Sequence, residues 1–126
     1  PRSLGISEDS INIIRGGMKR VVNSPTGTGF KSRIQKPGLE MAGKTGTSQV
    51  RSISPEEREE GLLEQNNRPW EERDHAIFVG YAPIENPRYA VSVIIEHGGS
   101  GAFAAAPIAH DILLEAQIKN SALRRT

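Results

Sequence analysis

The feature that most restricts the fold is a pair of apolar, β-branched runs late in the chain. They extend from Ala76 to Ala82 and from Tyr89 to Glu96. Residues 83–87 between them contain two prolines and an asparagine, a composition typical of turns. Strands joined by so short a turn pair antiparallel. The sequence therefore predicts a β-hairpin, and any fold for this chain must place these two strands side by side.

Helical patterns lie on both sides of the hairpin. Ser7 is a good N-cap, and apolar residues then recur at helical spacing until Pro25 ends the pattern. These residues are Ile11, Ile14, Met18 and Val22. A final helix is predicted to begin near Pro107. Its predicted apolar face consists of Ile108, Ile112, Leu113 and Ala116.

Residues 41–50 predict a third strand, because they carry β-forming threonines and a valine. Residues 51–74 are polar and highly charged, and they are predicted to form a long loop insertion with a short helix beginning at Pro55. The order helix, strand, strand, strand, helix predicts an α+β fold. We expect one domain spanning residues 1–126, in which the N- and C-terminal helices cover one side of a three-stranded antiparallel sheet.

Composition narrows the classes of function. The 126 residues carry a formal net charge of +1 and contain no cysteine. Such balanced charge does not indicate a nucleic-acid partner, and the lack of cysteine excludes disulfides and thiol chemistry. No apolar run approaches the roughly 20 residues of a membrane span. A chain that starts at Pro1 is interpreted as a piece of a longer protein.

Residues 38–45 match the spelling of a phosphate-binding P-loop, G-x-x-x-x-G-K-[ST]. That motif binds phosphate when a buried strand precedes it and a helix starts at its lysine. Residues 32–37 do not resemble a buried strand, and Gly46-Thr47-Ser48 is a poor first helical turn. A nucleotide-binding module is therefore an alternative function. The conformation of residues 44–47 tests it, since a P-loop requires a helix to start there.

The run Lys44-Thr45-Gly46-Thr47, followed by a long loop and an apolar hairpin, resembles the penicillin-binding protein transpeptidases. The resemblance extends to Ala42–Val50, Asp74–Pro83 and Glu96–Gly99. Together these segments are most similar to the elongation-specific class B branch, penicillin-binding protein 2. The resemblance implies the serine β-lactamase/penicillin-binding transpeptidase fold, of which this chain would be the C-terminal part.

The same resemblance implies a function. Such enzymes cross-link peptidoglycan stem peptides ending in D-alanyl-D-alanine through a serine acyl-enzyme, and β-lactams acylate them. The parent protein would be a periplasmic enzyme anchored in the inner membrane, would work with the cell-elongation machinery, and would need no cofactor or metal.

The resemblance also assigns roles to four residues. Lys44 would provide positive charge beside the nucleophile, and the hydroxyls of Thr45 and Thr47 would contact the substrate carboxylate. The Thr47 N–H would be half of the oxyanion hole. Gly46 would let a substrate backbone approach the strand closely. Since strand alternation directs Lys44 and Thr45 to opposite faces, both must reach around a sheet edge.

The chain departs from the family in one decisive respect. No serine is followed by a lysine three residues later, so the nucleophile motif S-x-x-K is absent. The fragment itself is therefore expected to be inactive. Ser10-Ile11-Asn12 matches the family's S-x-N motif in spelling, but it falls at the start of a predicted helix, and we interpret Ser10 as a helix-surface or capping residue.

Several further residues receive structural interpretations. His75, His97 and His110 have no acidic or cysteine partner at metal-ligand spacing, so no metal site is predicted. Trp70 is expected to anchor the charged insertion, with a lid over the substrate groove as the alternative. A non-catalytic interaction module that presents this insertion to a partner is the third function class. Finally, the apolar strand Tyr89–Glu96 is predicted to have a free edge through which two copies could pair.

Overall fold

The structure is a computed structural model that describes residues 5–52, 54–60 and 67–123. In chain order its main elements are α1 (Glu8–Asn23), β1 (Ala42–Ser48), α2 (Pro55–Glu60), β2 (His75–Ala82), β3 (Tyr89–Ile95) and α3 (Ala106–Leu123). Short 3-10 turns cover Phe30–Ser32 and Trp70–Glu72, and a π-helical turn, Gly101–Ala105, leads directly into α3. No helix within the described ranges is long and apolar enough to cross a membrane.

Helix α1 begins where the sequence predicts because Ser7 caps it. The Ser7 Oγ accepts a hydrogen bond from the Ser10 N–H at 3.2 Å, which satisfies one of the free donors of the first turn. The helix ends at Asn23. The side-chain amide of Asn23 donates to the carbonyl of Met41 at 2.9 Å. This bond fixes the end of α1 beside the start of β1.

The sheet is antiparallel and has the order β1-β2-β3. β2 is central, so β1 and β3 are edge strands in the described part of the chain. In this register Lys44 lies opposite Val79, and Thr47 lies opposite Ala76. The predicted hairpin and third strand are confirmed. β1 is shorter than residues 41–50, and Glu96 follows the end of β3.

One face of the sheet carries the hydrophobic core. Phe78 of β2 is fully buried, in a cluster that includes Val22 of α1, Val93 of β3 and Leu113 of α3. On the opposite face Val79 is 41% exposed and Ile94 of β3 is 62% exposed. The helices thus cover a single side of the sheet, as predicted, and the three-stranded α+β arrangement is confirmed.

The predicted apolar face of α3 is wrong for Ile108 and Ile112, which are 42% and 49% exposed. Within residues 106–120 of α3, the buried positions are Ala106, Ala109, Leu113 and Gln117. Small side chains let the helix lie close to the sheet, whereas the prediction gave most weight to large ones. Gln117 is accommodated because its amide donates to the carbonyls of Leu39 and Leu113, at 3.0 and 3.1 Å.

The helical spacing of four apolar residues predicts α1 correctly, but Ile14 is 56% exposed. Of the four residues that carry that spacing, only Val22 is fully buried. Val22 lies in the last turn, and the core contains no other residue of α1 that is fully buried. The helix therefore meets the core through its C-terminal end.

A buried ion pair lies at the base of the charged segment 51–74, which the sequence predicts to be an insertion. Residues 53 and 61–66 lie outside the described residues, and so does part of the predicted charge run Glu56–Glu64. The described portion includes α2, which begins at Pro55 as predicted. Arg68 Nη1 lies 3.7 Å from Asp74 Oδ2, and both side chains are more than 90% buried. The other carboxylate oxygen, Asp74 Oδ1, accepts a hydrogen bond from the Val50 N–H at 3.3 Å.

Candidate functional site

The four predicted site residues lie together in edge strand β1. Residues 44–47 are extended and pair with residues 76–79 of β2. No helix starts at Lys44, as a P-loop would require. The nucleotide-binding alternative is therefore excluded.

An open groove of about 440 Å³ runs along the free side of β1. Its lining consists of Thr28, Lys44, Thr45, Gly46, Thr47, Ser100, Gly101 and Ala102. Three segments thus form it: the loop after α1, the edge strand, and the start of the helical segment that continues into α3. The volume falls within the range of small-molecule and peptide sites, roughly 300–1,000 Å³.

One wall of the groove depends on two glycines that lie back to back. A Cβ added to Gly101 would lie 2.5 Å from the Gly46 carbonyl oxygen and 2.3 Å from the Ile77 carbonyl oxygen. Real Cβ atoms do not approach backbone oxygens so closely. The absence of a side chain at residue 101 therefore allows the start of the helical segment to touch β1, which brings Ser100 and Ala102 into the site.

The groove is positively polarised. Lys44 is the only charged residue among those described that line it. Its Nζ donates to the Thr45 carbonyl oxygen at 2.6 Å, so the ammonium group folds along its own strand. Gly101 and Ala102 are the first residues of a helical segment, where free N–H groups carry partial positive charge. An anionic group is the ligand that such a groove favours.

The hydroxyls supply directional donors beside this charge. The Thr45 Oγ1 lies 2.8 Å from the Thr28 Oγ1, and Thr47 lines the same groove. Lys44 and Thr45 both reach the groove although they are neighbours in a strand, because the site lies at a sheet edge. The arrangement of one cation and several hydroxyls beside a helix start suits a carboxylate.

Sequence reasoning missed Thr28, Ser100, Gly101 and Ala102 as site residues. Thr28 belongs to the segment Thr26-Gly27-Thr28-Gly29, whose glycines and threonines lack clear periodicity and are typical of a connecting loop. The run Gly98-Gly99-Ser100-Gly101 is typical of a hinge or of a loop that another backbone approaches closely, and Gly101 does lie close to the backbone of β1. The usable signal was the small residues in both segments, since backbones approach one another closely where side chains are small.

The histidines have structural partners instead of a place in the groove. The His97 N–H donates to His75 Nδ1 at 2.9 Å. His97 Nδ1 lies 3.0 Å from the Arg73 carbonyl oxygen and must donate to it, since a carbonyl only accepts. His110 Nδ1 likewise donates to the Ser32 carbonyl at 3.0 Å. Among the described residues no group of three or more His, Cys, Asp or Glu could hold a metal ion.

Trp70 and Ser10 also lie outside the groove lining. The ring of Trp70 packs against that of His97 in a tilted arrangement with centroids 4.3 Å apart, a contact that supports the anchoring role for this residue. Ser10 is exposed in the first turn of α1 and bonds to the capping Ser7. It is therefore a helix-surface residue, as the sequence analysis predicted.

Comparison with known proteins gives consistent matches. The family model for the penicillin binding protein transpeptidase domain matches residues 1–114. The peptidoglycan D,D-transpeptidase MrdA of Salmonella typhimurium is 38% identical over 101 residues, which are 80% of this chain and 15% of that protein. The MrdA protein of Acinetobacter baumannii is 41% identical over 108 residues, 82% of this chain and 15% of the relative. The chain therefore spans less than a sixth of the length of either relative.

Solved structures match in the same way. The Pseudomonas aeruginosa PBP2, in complex with WCK 5153, superposes with a TM-score of 0.64 at 32% identity, covering 93% of this chain and 21% of that one. The Helicobacter pylori PBP2, in complex with MreC, gives a TM-score of 0.67 at 25% identity, covering 85% and 17%. The groove-bearing edge strand lies within the part of the chain that the family model matches.

Proposed function

The chain belongs to the penicillin-binding protein transpeptidase domain family, and on that premise we propose that it is the C-terminal part of a peptidoglycan D,D-transpeptidase domain of the penicillin-binding protein 2 type. The single observation that carries the proposal is the groove along β1, with its lysine, hydroxyls and helix start at one sheet edge. The domain is proposed to extend over residues 1–126, with residues 51–74 as an insertion. Its remaining part, including the nucleophile, would lie upstream.

In this proposal the groove holds the terminal carboxylate of a stem peptide that ends in D-alanyl-D-alanine. Lys44 supplies the positive charge, and the hydroxyls of Thr45 and Thr47 donate to the carboxylate oxygens. The peptide backbone runs along the edge strand, where Gly46 has no side chain to obstruct it. The Thr47 N–H is proposed to donate to the attacked carbonyl as half of an oxyanion hole. β-Lactams carry an equivalent carboxylate and would occupy the same groove.

The reaction itself requires a serine that this chain does not contain. No serine in residues 1–126 is followed by lysine at the third position. In the parent protein, an upstream serine oxygen would attack the carbonyl of the penultimate D-alanine, releasing the last D-alanine and leaving an acyl-enzyme. An amine from a neighbouring stem peptide would then take the acyl group and complete the cross-link.

The same family membership supports a proposal for location and partners. The parent protein is proposed to place this domain in the periplasm, tethered to the inner membrane by a helix upstream. The PBP2 of Helicobacter pylori has been solved with MreC, which supports a proposed partnership with the cell-elongation machinery.

The direct test uses a fluorescent penicillin on the longer protein that contains this chain and on residues 1–126 alone. The longer protein should form a covalent adduct that survives denaturation, whereas the isolated chain should form none. In the longer protein, Lys44→Met should slow adduct formation by roughly 100-fold, because it removes the cation from the groove. Lys36→Met is the matched control, since Lys36 is exposed and outside the groove.

Three outcomes would each contradict a different part of the proposed function. A longer protein with a folded domain and no adduct would reject the enzyme assignment and favour the non-catalytic interaction module. An adduct on the isolated chain would show that the nucleophile lies within residues 1–126. Equal rates for the two lysine variants would remove Lys44 from the site.

A further inference from the structure

Thr28 lies in the groove although it is no part of the Lys-Thr-Gly motif. It is 16 positions before Lys44 in the sequence, in the loop between α1 and β1. Its Oγ1 is 2.8 Å from the Oγ1 of Thr45, the shorter of the two hydroxyl-to-hydroxyl contacts made by threonines of this loop. The question is what a second hydroxyl adds to a groove that already has Thr45 and Thr47.

The number of hydroxyl protons available as donors shows what Thr28 adds. A threonine hydroxyl has one proton to donate and lone pairs that accept. Only one of the two protons lies between Thr28 and Thr45. If Thr45 donates to Thr28, its proton is occupied and cannot reach a ligand. If Thr28 donates to Thr45, the Thr45 proton stays free to point into the groove.

An anion in the groove selects the second arrangement. A carboxylate accepts but does not donate, so the Thr45 hydroxyl must turn its proton towards it. The Thr45 oxygen is then left with lone pairs that the Thr28 proton satisfies. Each hydrogen bond in such a chain polarises the next and strengthens it. We propose that Thr28 is a positioning residue, which donates to Thr45 and thereby directs the Thr45 proton at the carboxylate of the substrate.

The position of Thr28 is fixed by contacts with α1 and not by contacts with β1. A Cβ added to the preceding residue, Gly27, would lie 2.2 Å from the Val21 carbonyl oxygen and 2.6 Å from that of Arg20. The following residue, Gly29, donates its N–H to the same Val21 carbonyl at 2.9 Å. The loop is thus bound to the last turn of the helix on both sides of Thr28. This support holds the hydroxyl in place before any ligand arrives.

This inference rests on the proposed function for the identity of the ligand, but part of it is independent of any ligand. If Thr28 holds the Thr45 hydroxyl, the Thr45 side chain should occupy one χ1 rotamer in the free chain. Removing the Thr28 hydroxyl should allow Thr45 to exchange among rotamers. That change can be measured by NMR scalar couplings without substrate.

The experiment compares the wild-type chain with Thr28→Val, which keeps the shape of the side chain and removes the hydroxyl. Because Thr28 is exposed, the variant should fold. The couplings of Thr45 should change from one rotamer to an average. The affinity for N-acetyl-D-alanyl-D-alanine, measured from amide shifts of residues 44–47, should fall roughly three- to tenfold, the effect of one hydrogen bond.

Two matched variants keep the test specific. Thr28→Ser retains the hydroxyl and should restore both readouts. Thr26→Val makes the same chemical change two positions away in the same loop, at a residue outside the groove lining, and should alter neither. Unchanged Thr45 couplings in Thr28→Val would overturn the inference.

Failure of the inference can be separated from failure of the proposed function. A wild-type chain that binds the peptide, together with a Thr28→Val chain that binds it equally well, would overturn the role of Thr28 alone. A wild-type chain that does not bind the peptide would count against the carboxylate site, while the Thr45 couplings would still decide whether Thr28 orients the hydroxyl.

Discussion

The two faces of the sheet differ sharply although the same three strands form both. On the covered face, Ala76 and Phe78 of β2 are fully buried beneath the helices. On the open face, Val79 of β2 and Ile94 of β3 are 41% and 62% exposed. Both faces of the hairpin are nevertheless apolar in sequence. An apolar strand can therefore be buried on either side. The packing of the rest of the polypeptide decides which side is covered.

The groove belongs to neither face. It lies along β1, where residues from the loop after α1 and from the start of the helical segment join the strand in forming its lining. The covered face supports these segments from below, since Ala105 and Val22 are both in the core. The core therefore supports the segments that form the groove. Among the described residues that line the groove, no apolar side chain is larger than alanine.

The largest expected effect comes from the covered face. Phe78→Ala should lower the free energy of unfolding by about 3–5 kcal/mol, because it leaves a cavity beneath the helices. The adjacent variant Val79→Ala should cost less than about 1 kcal/mol, because that side chain is already partly in water. Urea denaturation followed by circular dichroism measures both. Equal losses would mean that the two faces are not distinguished by burial.

A smaller effect is expected where the helical segment meets the edge strand. Gly101→Ala should lower the free energy of unfolding by about 1–3 kcal/mol, since its Cβ has no space between two backbone oxygens. Gly16→Ala is the matched control, because nothing lies within 4 Å of a Cβ there. In a helix interior it should stabilise by roughly 0.5–1 kcal/mol. If both substitutions changed the free energy of unfolding in the same direction, the close approach at Gly101 would not be a constraint.

The smallest effect on stability is expected at the free edge of β3. Ile94→Lys should change the free energy of unfolding by less than about 0.5 kcal/mol, because Ile94 is mostly exposed. The wild-type chain is predicted to self-associate through this apolar edge at high concentration, and a lysine should prevent this. Light scattering measures the association. Gln49→Lys, which adds the same charge at an exposed position outside β3, should not prevent it, and a strictly monomeric wild-type chain would contradict the prediction.

Much of the fold could be predicted from the sequence because its signals are local. The cap at Ser7, the turn composition of residues 83–87 and the apolar runs of the hairpin each act over a few residues, and the structure confirms the elements they predict. The similarity to solved penicillin-binding protein domains confirms the fold class. The buried faces of α1 and α3 were less predictable, because Ile14, Ile108 and Ile112 have no covering segment in the described chain.

The residues that line the groove divide in the same way. Lys44 to Thr47 were predictable because four adjacent residues form a recognisable motif. Thr28 and Gly101 come from segments far from that motif in sequence, and each reaches the groove through a tertiary contact. Their positions depend on the last turn of α1 and on the π-helical turn before α3. No periodicity or capping signal in either segment indicates that contact.

The Asp74 carboxylate accepts a hydrogen bond from the Val50 N–H. This bond bears on where the length of the chain can change. That bond joins residues 50 and 74 at the sheet, so the path of the segment between them has little influence on strand register. Doubling the length of such a closed loop costs only about 0.6 kcal/mol. The segment is therefore the natural place for related proteins to differ in length, and for a reporter domain to be grafted without disturbing the groove.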